Sequence, residues 1–200
     1  MTEHYYTSQP KTVHKEKEIK ATLKGNTLTF KTDSGVFSKD RIDYGSQVMI
    51  EAVNDAVFPG SKVLDVGCGY GPVGISLVKA NPALRIDMID VNERAIDLAE
   101  KNVKINNVEN VRIFVSSLYD KVEDKDYSAI LSNPPIRAGK ETVHQIITDA
   151  RDFLTDRGVL IIVIQKKQGA PSAKKKMEEV FGNVERLTQD KGYWVLQSVK

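Results

Sequence analysis

The sequence predicts an α/β protein built on an open, doubly wound, seven-stranded sheet. The sheet is expected to be mostly parallel with a reversed last strand, and to follow a short N-terminal strand and arm. Three observations lead there. From Lys62 onward, short apolar runs alternate with segments of helical period, the pattern of right-handed β-α-β crossovers under a covered parallel sheet. The first of these runs, Lys62-Val-Leu-Asp-Val66, enters a helix through glycines at alternate positions, Gly67, Gly69 and Gly71. The two final strands are separated only by Gln189-Asp-Lys-Gly192, a hairpin-length link that forces one antiparallel pairing.

In chain order, residues 1–24 are polar and lysine-rich without a sustained period, and are expected to form a partly ordered arm. The division expected is an arm over 1–30 and one domain over 31–200. Residues 27–31 alternate as a strand and stop at the turn signal Asp33-Ser-Gly35. The segment 35–46 is too polar for core and too aromatic for a linker. A short amphipathic helix is expected over 48–57, closed by Pro59-Gly60. Strand 62–66 leads to helix 72–80, which Pro82 follows; strand 85–90 leads to helix 93–105, stopped by Asn106-Asn107. Strands are read at 111–115 and 127–132, a helix at 142–154 and a continuous apolar strand at 159–165. A helix at 172–181 and strands at 184–188 and 193–198 complete the chain.

Composition narrows the class. Two hundred residues, 40% hydrophobic and 28% charged, suit one globular domain with a real core. No apolar run approaches the roughly 20 residues that span a bilayer, so no membrane is expected as a partner. The polar start and the single cysteine, Cys68, point to the reducing cytoplasm. His4, His14 and His144 are scattered, which gives no metal spacing. Five lysines without an acid, Lys166, Lys167, Lys174, Lys175 and Lys176, form either a solvated face or a phosphate contact.

In doubly wound sheets ligands bind outside the carboxyl ends of the strands, where Asp65, Asp90 and Asn133 all fall. Gly69-Tyr-Gly71-Pro-Val-Gly74 matches G-x-G-x-x-G, and Asp90 lies 21 residues beyond Gly69, so the regular expression taken alone favours a dinucleotide. Asp65 argues otherwise. A pyrophosphate gains nothing from a carboxylate two residues before Gly67, whereas a cationic amino group does. S-adenosylmethionine carries such a group and a ribose diol for Asp90, and needs no phosphate cradle. Cys68, between two glycines and with no histidine partner, reads as a small packed residue.

Val63-Leu-Asp65-Val-Gly67-Cys-Gly69-Tyr-Gly71 resembles the first motif of the class I S-adenosylmethionine-dependent methyltransferases, a Rossmann-like family. Asp90 resembles their ribose-binding acid, and Asn133-Pro134-Pro135-Ile136 the Asn-Pro-Pro-aromatic motif of members that methylate planar amino groups. Gly35-Val-Phe37-Ser38 with Asp43-Tyr-Gly45-Ser46 is similar to the small-domain methyltransferases typified by the 16S ribosomal RNA guanine-N2 enzymes. The resemblance covers about residues 30 to 200. It departs from the family at Ile136, where an aromatic is usual, and in the single domain, where the bacterial rRNA members carry a second, degenerate one.

The resemblance implies an enzyme that uses S-adenosylmethionine to methylate guanine N2 in ribosomal RNA, free or in a small-subunit particle, as a monomer or homodimer. Asp65, Gly67, Cys68, Gly69, Gly71, Asp90, Val91, Ser117 and Asn133 would hold the cofactor, with Ser116 or Leu118 as neighbours that could take the place of Ser117. Asn133, Pro134, Pro135 and Ile136 would form the catalytic turn. Pro134 fixes its own φ and pushes Asn133 out of the helical region, leaving the Asn133 oxygen free to accept from an exocyclic amine. On the substrate side stand Phe37 (or core), Asp43 (or a helix cap), Arg137 (or solvent), Lys166, Lys167 and Lys174. His144 reads as surface, and Tyr193 with Trp194 as sheet packing. Other readings are methylation of a protein glutamine amide or adenine N6, an S-adenosylmethionine-binding RNA module without turnover, and a nicotinamide oxidoreductase.

Overall fold

The structure, a computed structural model, describes residues 15–53, 61–134 and 138–200. Its centre is a seven-stranded sheet of β3 (Lys62–Val66), β4 (Arg85–Asp90), β5 (Val111–Val115), β6 (Tyr127–Ser132), β7 (Leu154–Gln165), β8 (Glu185–Asp190) and β9 (Tyr193–Val199). The spatial order is β5-β4-β3-β6-β7-β9-β8. All pairings from β5 across to β7 are parallel, and β9 inserts antiparallel between β7 and β8. The expected doubly wound sheet with its reversed last strand is therefore present, and the order turns back between β3 and β6.

Helices α1 (Tyr44–Ala52), α2 (Pro72–Ala80) and α3 (Glu93–Ile105) cover one face, and α4 (Gly139–Phe153) with α5 (Ala170–Phe181) covers the other. Alternation along the central strands divides the core accordingly. Ala129 and Leu131 of β6 pack on the α1–α3 side and Ile130 on the α4–α5 side, where Tyr127 also packs because the strand's register shifts between Tyr127 and Ala129. On β3, Asp65 takes an inward position that a hydrophobe would otherwise hold.

Three local differences from the sequence reading have physical causes. The stretch read as lacking a period contains β1 (Lys17–Leu23), which pairs antiparallel with β2 (Asn26–Thr32) as a hairpin through Lys24-Gly25. The hairpin's Leu23, Leu28 and Phe30 are buried in the α1–α3 core. Asn102 of α3 and Asn106, the residue that caps its C-terminus, dock it: their amides exchange hydrogen bonds with the N–H and C=O of Lys31 and Thr29 as a neighbouring strand would. Helix α1 begins four residues earlier than expected, because the Asp43 carboxylate caps it by accepting from the Ser46 amide at 3.1 Å. The expected end of that helix lies outside the described residues. Strand β7 starts at Leu154, which pairs with Tyr127 ahead of an irregularity, and Gly158 continues it where a Cβ would meet Thr155 O at 2.8 Å.

Among the described residues, no helix is long and apolar enough to cross a membrane.

Candidate active site

At the carboxyl ends of β3, β4 and β6 lies a cleft of about 540 Å³. Its floor is the turn from β3 into α2. Gly67 and Gly71 adopt left-handed φ of 76° and 92°, conformations that favour glycine, and nothing lies within 4 Å of where a Gly67 Cβ would sit. A ligand can therefore approach this backbone closely. Pro72 opens α2 at the position that lacks a hydrogen-bond partner in any case. The turn is fixed to the sheet by Gly67 and Cys68, whose amides donate to Ile89 O at 2.8 and 2.9 Å.

Two carboxylates face this floor, Asp65 buried and Asp90 half-buried. Asp65, 2% exposed, accepts from the Gly74 amide at 3.2 Å. Burial, reinforced by the nearby Asp90 charge, pushes its carboxyl up to about 7. Asp90 closes β4 and accepts from the Gly69 amide and the Asn92 amide, each at 2.9 Å. Burial raises its carboxyl as well, against the lowering effect of the Asn92, Gly69 and Val91 amides. Two acids so close, with no cation beside them among the described residues, make an electronegative seat that suits a cationic ligand group.

The outer wall is segment 33–46, and sequence-distant side chains fasten it over the cleft. Asn92 Nδ2 donates to Gly35 O at 3.1 Å, and Tyr70 Oη to Ser38 O at 3.3 Å. Asp33, 1% exposed, accepts from the Gly35 amide and pairs with Arg94 at 3.1 Å. Phe37 projects from this wall and is 38% exposed, so it is not core.

Asn133, immediately after β6, lines the cleft and also a smaller adjoining cavity of about 150 Å³. Phe37, Asp43 and Pro134 are likewise shared between the two. Asn133 Nδ2 donates to Asp43 Oδ2 at 2.8 Å and to Ser46 Oγ at 2.9 Å, so Asp43 both caps α1 and holds Asn133. The smaller cavity is completed by Lys140, His144, Gln165, Gln168, Ser172 and Tyr193. His144 Nε2 lies 3.0 Å from Ser172 Oγ, and burial with the nearby Lys140 and Lys176 charges lowers its basicity.

The sequence-predicted residues are thus brought together in large part. Asp65, Gly67, Cys68, Gly69, Asp90, Val91, Ser117 and Asn133 all line the larger cleft, while Gly71 stands behind it as the N-cap residue of α2. Cys68 is buried, with its thiol pushed well above the ordinary range by burial. Of the serines after β5, Ser116 uses its hydroxyl within its own loop, donating to Leu118 O, whereas Ser117 is exposed at the cleft. Pro135, Ile136 and Arg137 lie outside the described residues. Lys166, Lys167 and Lys174 are exposed. The first two sit on the turn whose Gln165, Gln168 and Gly169 wall the smaller cavity. His144 and Tyr193, read as surface and sheet packing, also line that cavity. Sequence reasoning missed Gln165, Gln168 and Ser172, which carry no motif of their own, and gave Ser46, though part of a quoted motif, no role at the site. Among the described residues no cluster of acids, histidines or cysteines is arranged to bind a metal.

The family model "Methyltransferase small domain" matches residues 27–197. A protein of Bacillus subtilis (strain 168), "Uncharacterized protein YbxB", is 44% identical across the full length of both chains. "Ribosomal RNA small subunit methyltransferase C" of Vibrio parahaemolyticus is 32% identical, over 96% of this chain and 56% of its own length. The solved structure of the "T. Thermophilus 16S rRNA N2 G1207 methyltransferase (RsmC) in complex with AdoMet and Guanosine" superposes with a TM-score of 0.83 at 23% identity. It covers 96% of this chain and 52% of that one, so the present chain spans about half the length of these rRNA methyltransferases. With the motif-bearing strand ends assembled at one cleft and a family match across 27–197, the chain belongs to the methyltransferase small domain family.

Proposed function

We propose that the protein is an S-adenosylmethionine-dependent N-methyltransferase acting on the exocyclic amine (N2) of guanine in ribosomal RNA. The observation that carries the reading is Asn133, at the seam between a cleft bearing Asp65 and Asp90 and a second, smaller cavity. One cavity suits the donor and the other a planar acceptor. The rRNA methyltransferase relatives support this acceptor class.

The residues present fit the cofactor. Asp65 is a buried carboxylate without a cation among the described residues, and an ammonium group would satisfy it. Asp90 has lone pairs beyond those directed at the Gly69 and Asn92 amides, suited to a diol. Open space above Gly67 and Gly69 admits the ligand's chain. Bound there, S-adenosylmethionine supplies an electrophilic methyl group. The protein's part is then largely positioning. Asn133 Oδ1 accepts from the amine, the rigid Pro134 turn holds Asn133 in place, and Phe37 offers an exposed ring at the junction for stacking. No strong base is required at the acceptor if its proton leaves to water during or after attack. Orientation of this kind is worth several kcal/mol of barrier. The target base must be unpaired or flipped, since a duplex hides its amino group.

Labelled-methyl transfer onto ribosomal RNA, DNA and protein fractions, tested separately, checks the acceptor. Label in rRNA at guanine N2 is expected; label in protein alone or at adenine N6 would replace the reading. S-adenosylmethionine at a hundredfold excess over its Kd is expected to raise Tm by about 5–10 °C, from the mass-action linkage of ligand to stability. NADH is expected to leave Tm unchanged, and the reverse result would overturn the cofactor assignment.

Lys174 and Lys175 are exposed on α5, while Lys175 and Lys176 lie within 4.0 Å of Glu179. Reversing Lys174, Lys175 and Lys176 to glutamate is expected to weaken RNA binding and flatten its salt dependence by about 0.7 for each phosphate no longer neutralised. A filter-binding series across salt concentrations measures this. Unchanged slopes would make the cluster ordinary surface.

A further inference from the structure

The Asn133 amide has one orientation open to it. Its Nδ2 meets Asp43 Oδ2 at 2.8 Å and Ser46 Oγ at 2.9 Å. An ionised carboxylate accepts hydrogen bonds and donates none, so an amide oxygen turned toward Asp43 would set acceptor against acceptor. Asp43 is itself held: the same Oδ2 takes the Ser46 amide at 3.1 Å, and its backbone carbonyl takes the Gln47 amide at 3.1 Å. Ser46 is 5% exposed and fixed in the first turn of α1. Both Nδ2 hydrogens are thereby engaged on the α1 side. Oδ1 meets no hydrogen-bond partner among the described residues.

We propose that Asp43 and Ser46 are positioning residues that lock the Asn133 amide with its oxygen toward the acceptor. They would thereby commit the site to an acceptor atom bearing N–H. The proposal rests on the reading of Asn133 as the group that holds the acceptor, and adds what sets its polarity. Turned the other way, the same amide would offer donors, which suit a carbonyl or an unprotonated ring nitrogen and not an amine. The choice is made 90 residues away in sequence, by the residue that also starts α1. This double use explains why segment 35–46 is fastened over the cleft by Asn92 and Tyr70: any drift of the wall would release the amide.

The cap and the lock can be separated. Asparagine and serine cap helices about as well as aspartate, so Asp43→Asn and Asp43→Ser should keep α1, the fold and S-adenosylmethionine affinity. In the first variant the cap fixes the new amide oxygen where Oδ2 stood, so it can still accept from Asn133 and the lock is kept. In the second the serine is too short to reach it. Asp43→Ser is expected to lose about 10- to 100-fold in kcat on in vitro transcribed 16S rRNA, Asp43→Asn to stay within about threefold of wild type, and both to keep KM for the cofactor within about twofold. A residue that only capped α1 would leave kcat unmoved.

A second readout needs no acceptor. In ¹⁵N–¹H spectra, the Asn133 side-chain amide pair, assigned by its absence in Asn133→Ala, should exchange with water at least about tenfold more slowly than exposed asparagine amides, as hydrogen-bonded protons do. Protection should vanish in Asp43→Ser. Unprotected Asn133 protons in the wild type, or full kcat and full protection in Asp43→Ser, would overturn the lock. Absence of methyl transfer to rRNA by the wild type would instead overturn the functional reading, and the exchange experiment would still decide the lock.

Discussion

Asn133→Ala is expected to bind S-adenosylmethionine within about twofold of wild type while methyl transfer falls by about 10²–10³-fold, the cost of losing one preorganised polar contact of roughly 2.7–4 kcal/mol at a reacting centre. Alanine removes the oxygen proposed to hold the amine and leaves Asp43 and Ser46 without their shared donor. The carboxylates proposed to hold the cofactor, Asp65 and Asp90, stand on other strands and keep their backbone donors. The consequence should therefore fall on kcat. Calorimetric binding and single-turnover transfer, measured side by side, separate the two. Full activity in Asn133→Ala would mean that the planar-amine mechanism is wrong.

Asp65→Asn should act in the opposite sense, on binding first. The variant keeps an oxygen for the Gly74 amide and loses the charge proposed to face the ammonium group. A charge-assisted hydrogen bond is worth roughly 1.5–3 kcal/mol, so Kd should rise by about 10- to 150-fold. The wild-type affinity should also depend on pH. Burial holds the Asp65 carboxyl at about 7, and the cationic ligand group selects its ionised form. Affinity should accordingly rise by about eightfold between pH 6 and pH 7.5, with proton release on binding, as linkage to a single group of this pKa requires. Asp65→Asn should abolish most of that rise, leaving the contribution of Asp90, whose carboxyl is also raised.

The ligand-free protein should show the complementary effect. A carboxyl raised by folding stabilises the native state below the ordinary acid range, and this contribution is lost as pH rises through about 7. Asp65→Asn should thus raise the Tm of the ligand-free protein at pH 8 and change it little at pH 4. A Tm that is lower at pH 8 than in the wild type would show that Asp65 is a stabilising internal partner and not a strained binding group.

How much of this was readable in the chain depends on the range of the interactions involved. Strands β3, β4, β5 and β6 and helices α2 and α3 match their expected bounds, because buried parallel strands are short apolar runs and glycine, proline and asparagine mark their ends. Asp65, Asp90 and Asn133 converge because the topology of a doubly wound sheet brings strand ends to one edge. Segment-to-segment contacts carry no such local mark. The Asp43–Asn133 bond joins a helix cap to a strand end, and either role alone satisfied the sequence around Asp43. The smaller cavity is assembled from α4, the end of β7, the start of α5 and β9, which share no motif. In β1, Ile19, Ala21 and Leu23 do alternate, but the intervening charges obscure a period that becomes evident only beside β2.

The paired asparagines at the end of α3 have a consequence for how the protein behaves among its own copies. A two-stranded sheet ends in exposed backbone on both sides, and such edges recruit other strands. On β2 that edge is occupied: Asn106 takes up Thr29 and Asn102 takes up Lys31, each through both N–H and C=O. A strand arriving there finds the backbone of both residues already hydrogen-bonded to a helix. The side chains that dock the hairpin therefore also deny aggregation a template at this edge.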